Sequence, residues 1–341
     1  MNFASDNAYG AAPQILAALS AANNGTETSY GEDAVTARVT GKLTALFEHA
    51  IAVFPVVTGT AANSLALATL CPPYGAVFCH RESHIAVDEC AAPEFFTGGA
   101  KLVHLDGEDG KITPAAIAAM LPHYARGVHS PKPAVVSITQ ASEVGTIYSV
   151  AEIRAIADAA HNSGMTLHMD GARFANALVT LGCTPAEMTW KAGVDALSFG
   201  ATKNGALCAE AVIFFDTAHT QAFEYRRKKA GHLVSKMRFI SAQLDAYLEN
   251  DLWLSNARRA NALARRLGDG LAALPGVTLA GPVEANGVFA WMPKPVAARL
   301  RERGAKFYDW AQEPERVMVR LVVSFATPEA DVAKFIETAK G

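Results

Sequence analysis

Through the first two-thirds of the chain, short apolar runs alternate with segments patterned as helices. Val53–Val57, Ala76–Cys79, Lys101–Leu105, Ala134–Ile138, Thr166–Met169, Val194–Phe199 and Ala211–Phe215 read as strands. Runs with few polar interruptions suit strands covered on both faces. The intervening segments carry helix signals. One helix is expected from Ala61 to about Leu70. Thr113-Pro114 offers a capping hydroxyl and then Pro in the first turn. Ser149 and Glu152 form a capping box for a helix reaching about Asn162, with Gly164 beyond it. Strands alternating with helices predict an α/β fold with a doubly wound, mostly parallel sheet.

Such folds bind ligands beyond the carboxyl ends of their strands. Gly59-Thr60, Asp170 and Ala201-Thr202-Lys203 each follow a predicted strand. Three sites distant in sequence are therefore expected at one sheet edge, as a single cofactor pocket requires.

The pattern changes near residues 245–252. A long helical stretch, about Asp251–Leu274, stops at Pro275-Gly276. Apolar runs at Val277–Ala280 and Val288–Met292 follow, then a charged helix over Val296–Arg303 and a strand over Arg316–Phe325. Thr327-Pro328 opens a last helix. The expected division is a large domain, 1–250, with a short N-terminal arm, and a small α+β domain, 251–341.

Of the 341 residues, 50% are hydrophobic and 18% charged, which excludes a disordered chain. The net charge of -3 and the lack of a basic stripe argue against nucleic acid as a partner. No signal-peptide pattern opens the sequence, and no apolar run reaches the roughly 18 residues of a membrane span. Cys71, Cys79, Cys90, Cys183 and Cys208 are odd in number and lack CxxC spacing. They are expected to be buried thiols of a reducing, cytoplasmic compartment, without a metal site.

Lys203 reads either as a solvated loop lysine or as a Schiff-base lysine with small neighbours, Gly200, Ala201, Gly205 and Ala206, that leave room for a flat ring. Asp170 reads as a helix N-cap or as the carboxylate that holds a pyridinium N–H. Gly59-Thr60 opens a helix whose backbone N–H groups suit phosphate. No P-loop or GxGxxG occurs. His84 follows a strand end, where its ring could stack on a flat cofactor.

In this order and spacing the Gly59-Thr60 turn, His84, Asp170-Gly-Ala-Arg173 and Ser198…Lys203 resemble the fold-type-I pyridoxal-phosphate enzymes. More narrowly they resemble the low-specificity L-threonine aldolases, from Phe3 to about Thr327. Ser5-Asp6-Asn7, Tyr30-Gly-Glu-Asp33, His129 and Arg320 are similar to further elements of that family. The resemblance implies an aspartate-aminotransferase-like fold with a seven-stranded-type sheet. It implies pyridoxal 5'-phosphate on Lys203, with Asp170, His84, Gly59, Thr60 and Arg173 as cofactor contacts. Ser5, Arg173, Arg320 and His129 would bind the substrate. His84 or His129 would take the proton of the β-hydroxyl. The implied reaction is cleavage of threonine-like β-hydroxy amino acids to glycine and an aldehyde. A homodimer or homotetramer with sites between subunits is also implied, and Arg226–Lys229 could reach a neighbour's phosphate or form a solvated helix face. The sequence departs from the family's usual runs at His84–Phe96, Ile138–Ala141 and Thr202–Ala206. Those departures leave the preferred aldehyde open, with a phenylserine-type aldolase as a near alternative, and a β-eliminating lyase is a rival reaction on the same scaffold. A binding protein that kept the fold is the non-catalytic alternative.

Overall fold

Every predicted run of the first two-thirds becomes a strand in the computed structural model, which describes residues 1–341. These are β1 (Ala52–Val56), β2 (Gly75–His80), β3 (Lys101–Leu105), β4 (Lys132–Thr139), β5 (Thr166–Gly171), β6 (Ala196–Gly200) and β7 (Glu210–Phe214). They form a seven-stranded sheet in the order β1-β7-β6-β5-β4-β2-β3. Only β7 runs against its neighbours, so the sheet is mostly parallel. Alternate side chains of β7 enter different cores, Ala211 and Ile213 on one face and Val212 and Phe214 on the other. Helices thus cover both faces.

Local chemistry sets the helix starts. The Thr58 hydroxyl accepts from the amide of Ala61 and begins α1 (Gly59–Leu70), two residues ahead of the expected start. Thr113 caps its helix through Ala116 N–H, and the Ser149–Glu152 capping box is complete in both directions.

The C-terminal part adds a four-stranded antiparallel sheet. Its strands are β8 (Thr278–Leu279), β9 (Gly287–Pro293), β10 (Tyr308–Gln312) and β11 (Arg316–Val322). β10 has no apolar run to announce it, because it is an edge strand with four of its five residues exposed. The long helix α2 (Leu252–Ala272) belongs to both cores. Trp253 and Ala257 pack with the main sheet, while Leu263, Leu267 and Leu271 pack with the small one. The N-terminal arm crosses to the small sheet. Phe3 N–H donates to Lys306 and Val322 N–H to Phe3, and the fully buried Phe3 ring meets Phe335 edge-on at 5.0 Å. Burying a ring of that size contributes about 2 kcal/mol.

One expectation about the cysteines is corrected. Cys71 and Cys79 are buried, Cys71 packed just past the end of α1 and Cys79 within β2, but Cys90 is exposed and Cys183 and Cys208, in connecting loops, are partly so. No helix is long and apolar enough to cross a membrane.

Candidate active site

The three strand-end sites meet around one cavity of about 310 Å³, bordered by Thr58, Gly59, Thr60, His84, Asp170 and Lys203. Parallel strands put β1, β5 and β6 termini at the same edge. The cavity-side amides of the first turn of α1 have no intrahelical acceptor. With the helix dipole behind them they form a seat for an anion. A side chain added at Gly59 would meet no atom within 4 Å, so the turn opens onto free space.

Lys203 sits in a short 3-10 turn after β6. The turn is held tightly. Asn204 donates to Tyr247 Oη and to the Trp253 carbonyl, both at 2.8 Å. Gly200 passes so close to Ala172 that a Cβ would lie 2.6 Å from its carbonyl oxygen. Gly205 has φ +124°, which only glycine adopts without strain. The ammonium of Lys203 has no ion-pair partner.

Asp170 is buried at the end of β5. Its Oδ1 accepts from Ala172 N–H at 2.9 Å and its Oδ2 from Asn63 Nδ2 at 2.8 Å. It does not cap the following helix, whose N-cap position is Arg173, so the capping reading of Asp170 is corrected. Nearby, His168 is fully buried between Ser137 and Ser198, and burial pushes its imidazole down to about 4.

His84 opens a short helix and borders the cavity. Its Nδ1 lies 2.7 Å from Oε1 of Glu89. That hydrogen bond, outweighing burial, raises the proton affinity of the ring. Burial in turn raises the Glu89 carboxyl. Asn63 Nδ2 donates to Glu89 as well as to Asp170, at 2.8 Å each, so a continuous polar chain joins His84 to Asp170. Sequence reasoning missed Glu89 and gave Asn63 no role. The only signal was an acid five residues after the histidine, in a segment already noted as atypical.

The arginines meet in a neighbouring cleft, with Ser142, Glu143 and Asn286. Arg173 is buried and gives its Nε and Nη2 to Asp6 at 2.9 and 3.1 Å, and Asn286 adds a third donor to that carboxylate at 3.1 Å. Burial alone would raise the Asp6 carboxyl, but the charges of Arg173 and Lys203 and the hydrogen bonds from Arg173 and Asn286 together hold it below its ordinary value. Arg320, on β11, has no acidic partner within ion-pair distance and lies over the Trp310 ring at 5.6 Å. Burial, and then the charge of Arg173, lowers its proton affinity. Arg320 thus forms no salt bridge inside the small domain.

Two expected substrate contacts move. Ser5 accepts from Asn7 N–H and caps the turn Asp6–Ala8, and it is Asn7 that borders the main cavity. His129 is exposed in a turn before β4. The cavity lies past the other end of that strand, eight residues and roughly 25 Å away. His129 is therefore no part of this cavity within the chain. In the basic run, Arg227 is buried, donates to the Pro55 carbonyl and covers Phe54, whereas Lys228 lies over the exposed Tyr30 ring.

The model of the beta-eliminating lyase family matches residues 2–294. The chain belongs to this family. The low specificity L-threonine aldolase of Pseudomonas sp. (strain NCIMB 10558) is 48% identical over 330 residues, 97% of this chain and 94% of that protein. The low specificity L-threonine aldolase of Pseudomonas aeruginosa is 49% identical over 311 residues, 91% of this chain and 90% of that protein. Among solved structures, threonine aldolase of Leishmania major superposes with a TM-score of 0.94 at 28% identity, covering 99% of this chain and 98% of that one.

The family depends on pyridoxal phosphate. The residues present fit it. A lysine amine without a partner, a buried carboxylate across the cavity and an open helix N-terminus answer to its aldehyde, ring nitrogen and phosphate.

Proposed function

We propose that this protein is a threonine aldolase that cleaves L-threonine, L-allo-threonine and related β-hydroxy-α-amino acids to glycine and an aldehyde. One observation carries the reading. The unpaired amine of Lys203 and the Nε2 of His84, which has no protein partner, border the same cavity.

Bound there, pyridoxal 5'-phosphate supplies an electron sink for the bond broken at Cα. Lys203 holds the cofactor, Asp170 the ring nitrogen, and the amides of Gly59 and Thr60 the phosphate. Glu89 engages His84 Nδ1 and leaves Nε2 to accept the β-hydroxyl proton. Arg320 and the uncommitted Nη1 of Arg173 grip the substrate carboxylate. That grip orients the Cα–Cβ bond for cleavage. His84 takes the base role here, because its Nε2 borders the cavity, whereas His129 of the same chain lies at the opposite sheet edge.

The test is product analysis of the holoenzyme with threonine. Glycine and acetaldehyde in equal amounts are expected. A keto acid with ammonia would mean β-elimination instead, and no turnover of any β-hydroxy amino acid would leave a binding protein.

The same reading treats 1–250 and 251–341 as two domains joined through α2, in a cytoplasmic homodimer or homotetramer with sites between subunits. Supporting it, Tyr30, Leu207 and Tyr225 are exposed apolar side chains, and Leu207 adjoins the cavity residue Cys208. Sedimentation velocity measures the assembly directly.

A further inference from the structure

Glu210 stands where no simple core residue belongs. It is the first residue of β7, in a strand otherwise made of Ala211, Val212, Ile213 and Phe214. Its register partners are Val56 of β1 and Gly200 of β6. The phosphate-seat turn follows the first and the lysine turn follows the second. The side chain is buried, borders the main cavity beside Thr58, Gly59, Thr202 and Lys203, and its Oε2 accepts from Ala201 N–H at 2.7 Å. Burial pushes the carboxyl up to about 7, against the hydrogen bonds of Thr202 and Ala201 and the charge of Lys203. An amide would satisfy the Ala201 N–H equally well, so the backbone contact alone does not call for a carboxyl here.

We propose that Glu210 is a positioning residue for Lys203. It fixes the turn that carries the lysine, and its carboxylate supplies a counter-charge from the β7 side, as Asp170 does from the β5 side. The proposal rests on the reading that Lys203 holds the cofactor. The other charged or titratable groups around this point are engaged elsewhere. Tyr247 Oη lies 3.4 Å from the Gly200 carbonyl, and Cys208 Sγ faces Gln243 Nε2 at 3.9 Å. Asp170 and His84 belong to the polar chain through Asn63 and Glu89. Asp6 is taken by Arg173. Behind β1, Arg227 turns to the Pro55 carbonyl and His232 to Val57 N–H. None of them engages Lys203 directly.

An anion near a cation stabilises its charged form. The experiment is a pH titration of the substrate-free holoenzyme, following the visible band of the lysine-bound cofactor in wild type, Glu210→Gln and Glu210→Asp. In Glu210→Gln the pH midpoint for loss of the band is expected to fall by about half a unit or more, roughly threefold in proton affinity. Glu210→Asp keeps the charge and should stay close to wild type. An unmoved midpoint in a folded Glu210→Gln enzyme overturns the proposal, as does an Asp variant shifted as far as Gln. If the Gln variant does not fold, infrared difference titration of the wild-type holoenzyme decides. One buried carboxyl must lose its proton near neutrality together with the band change, and its absence overturns the proposal. A wild type with no lysine-bound band at all would instead overturn the cofactor reading on which this one stands.

Discussion

The Nδ1 of His84 lies 2.7 Å from a Glu89 carboxylate that is wholly shielded from solvent. A histidine held this way donates through Nδ1 and keeps its Nε2 lone pair toward the cavity. Glu89 is itself anchored by Asn63, which reaches Asp170 with the same amide. The orientation of the base and that of the ring-nitrogen carboxylate are thus set by one shared side chain.

Replacing Glu89 with Gln should keep much of the packing but remove the charge. His84 owes its raised proton affinity chiefly to that hydrogen bond. In Glu89→Gln the acidic limb of the kcat/KM profile should therefore move to lower pH. At the optimum kcat should fall about tenfold or more as the ring loses its orientation. A full pH–rate profile beside a melting curve checks this. An unchanged profile would remove Glu89 from the catalytic apparatus.

The Asp6–Arg173 pair ties the N-terminal arm to the carboxylate cleft, and it makes a stability prediction. Arg173, with Lys203 and Asn286, holds the folded Asp6 carboxyl below its ordinary value of 3.8 against the effect of burial. A depressed carboxyl contributes stability that is present above the unfolded value and is lost as pH falls through the folded one. Breaking a buried pair from one side costs roughly 3 kcal/mol. Asp6→Asn should therefore lower Tm at neutral pH and narrow its gap from wild type below about pH 4. Calorimetry from pH 3 to 8 measures both, and a constant gap across that range would deny the linkage.

How far the sequence disclosed all this differs by element. The seven main strands were legible because most are covered on both faces and so carry few polar interruptions, and even the edge strand β3 keeps a core of Leu102, Val103 and Leu105. Gly59, Asp170 and Lys203 were legible because each follows such a strand. β10 was not, since an exposed edge strand needs no apolar face. The Asp6–Arg173 and Asn63–Asp170 contacts join residues 167 and 107 positions apart, and no local pattern reports such a closure. His129 is a different case. It precedes β4, and the rule that sites lie past the carboxyl ends of strands already places it at the wrong edge.

Asp170→Asn isolates charge from shape. The new amide can still accept from Ala172 N–H, but its NH2 group would face the Nδ2 donor of Asn63. Relief requires Asn63 to turn, which withdraws its donation to Glu89. The expected stability loss is about 1 kcal/mol, the scale of one hydrogen bond. The loss in kcat should be far larger, because a neutral amide cannot hold a positive ring nitrogen. The variant should also bind cofactor more weakly in spectrophotometric titration. Kinetics close to wild type would leave Asp170 a structural role only.

Arg320 supplies the sharpest separation of site from scaffold. A charged residue in Val317–Val323 interrupts an apolar strand, and burying a charge without a partner is costly. The structure gives it no acidic partner, only the face of Trp310 at 5.6 Å. Arg173 shares its cleft, with half of its fork already spent on Asp6, and Glu143 lines the same cleft without pairing with either arginine. A substrate carboxylate entering there would meet the free fork of Arg320 and the uncommitted Nη1 of Arg173. Arg320→Lys keeps the charge but loses the planar fork, which is not interchangeable at a bidentate site. No native ion pair is broken, so Tm should change little. KM for threonine should rise about tenfold, and kcat should fall with it because the carboxylate grip also sets the Cα–Cβ torsion. The spectrum of the substrate-free holoenzyme should be unaltered. A sharp fall in Tm with threonine kinetics near wild type would instead make Arg320 part of the scaffold, and the carboxylate would have to be held elsewhere.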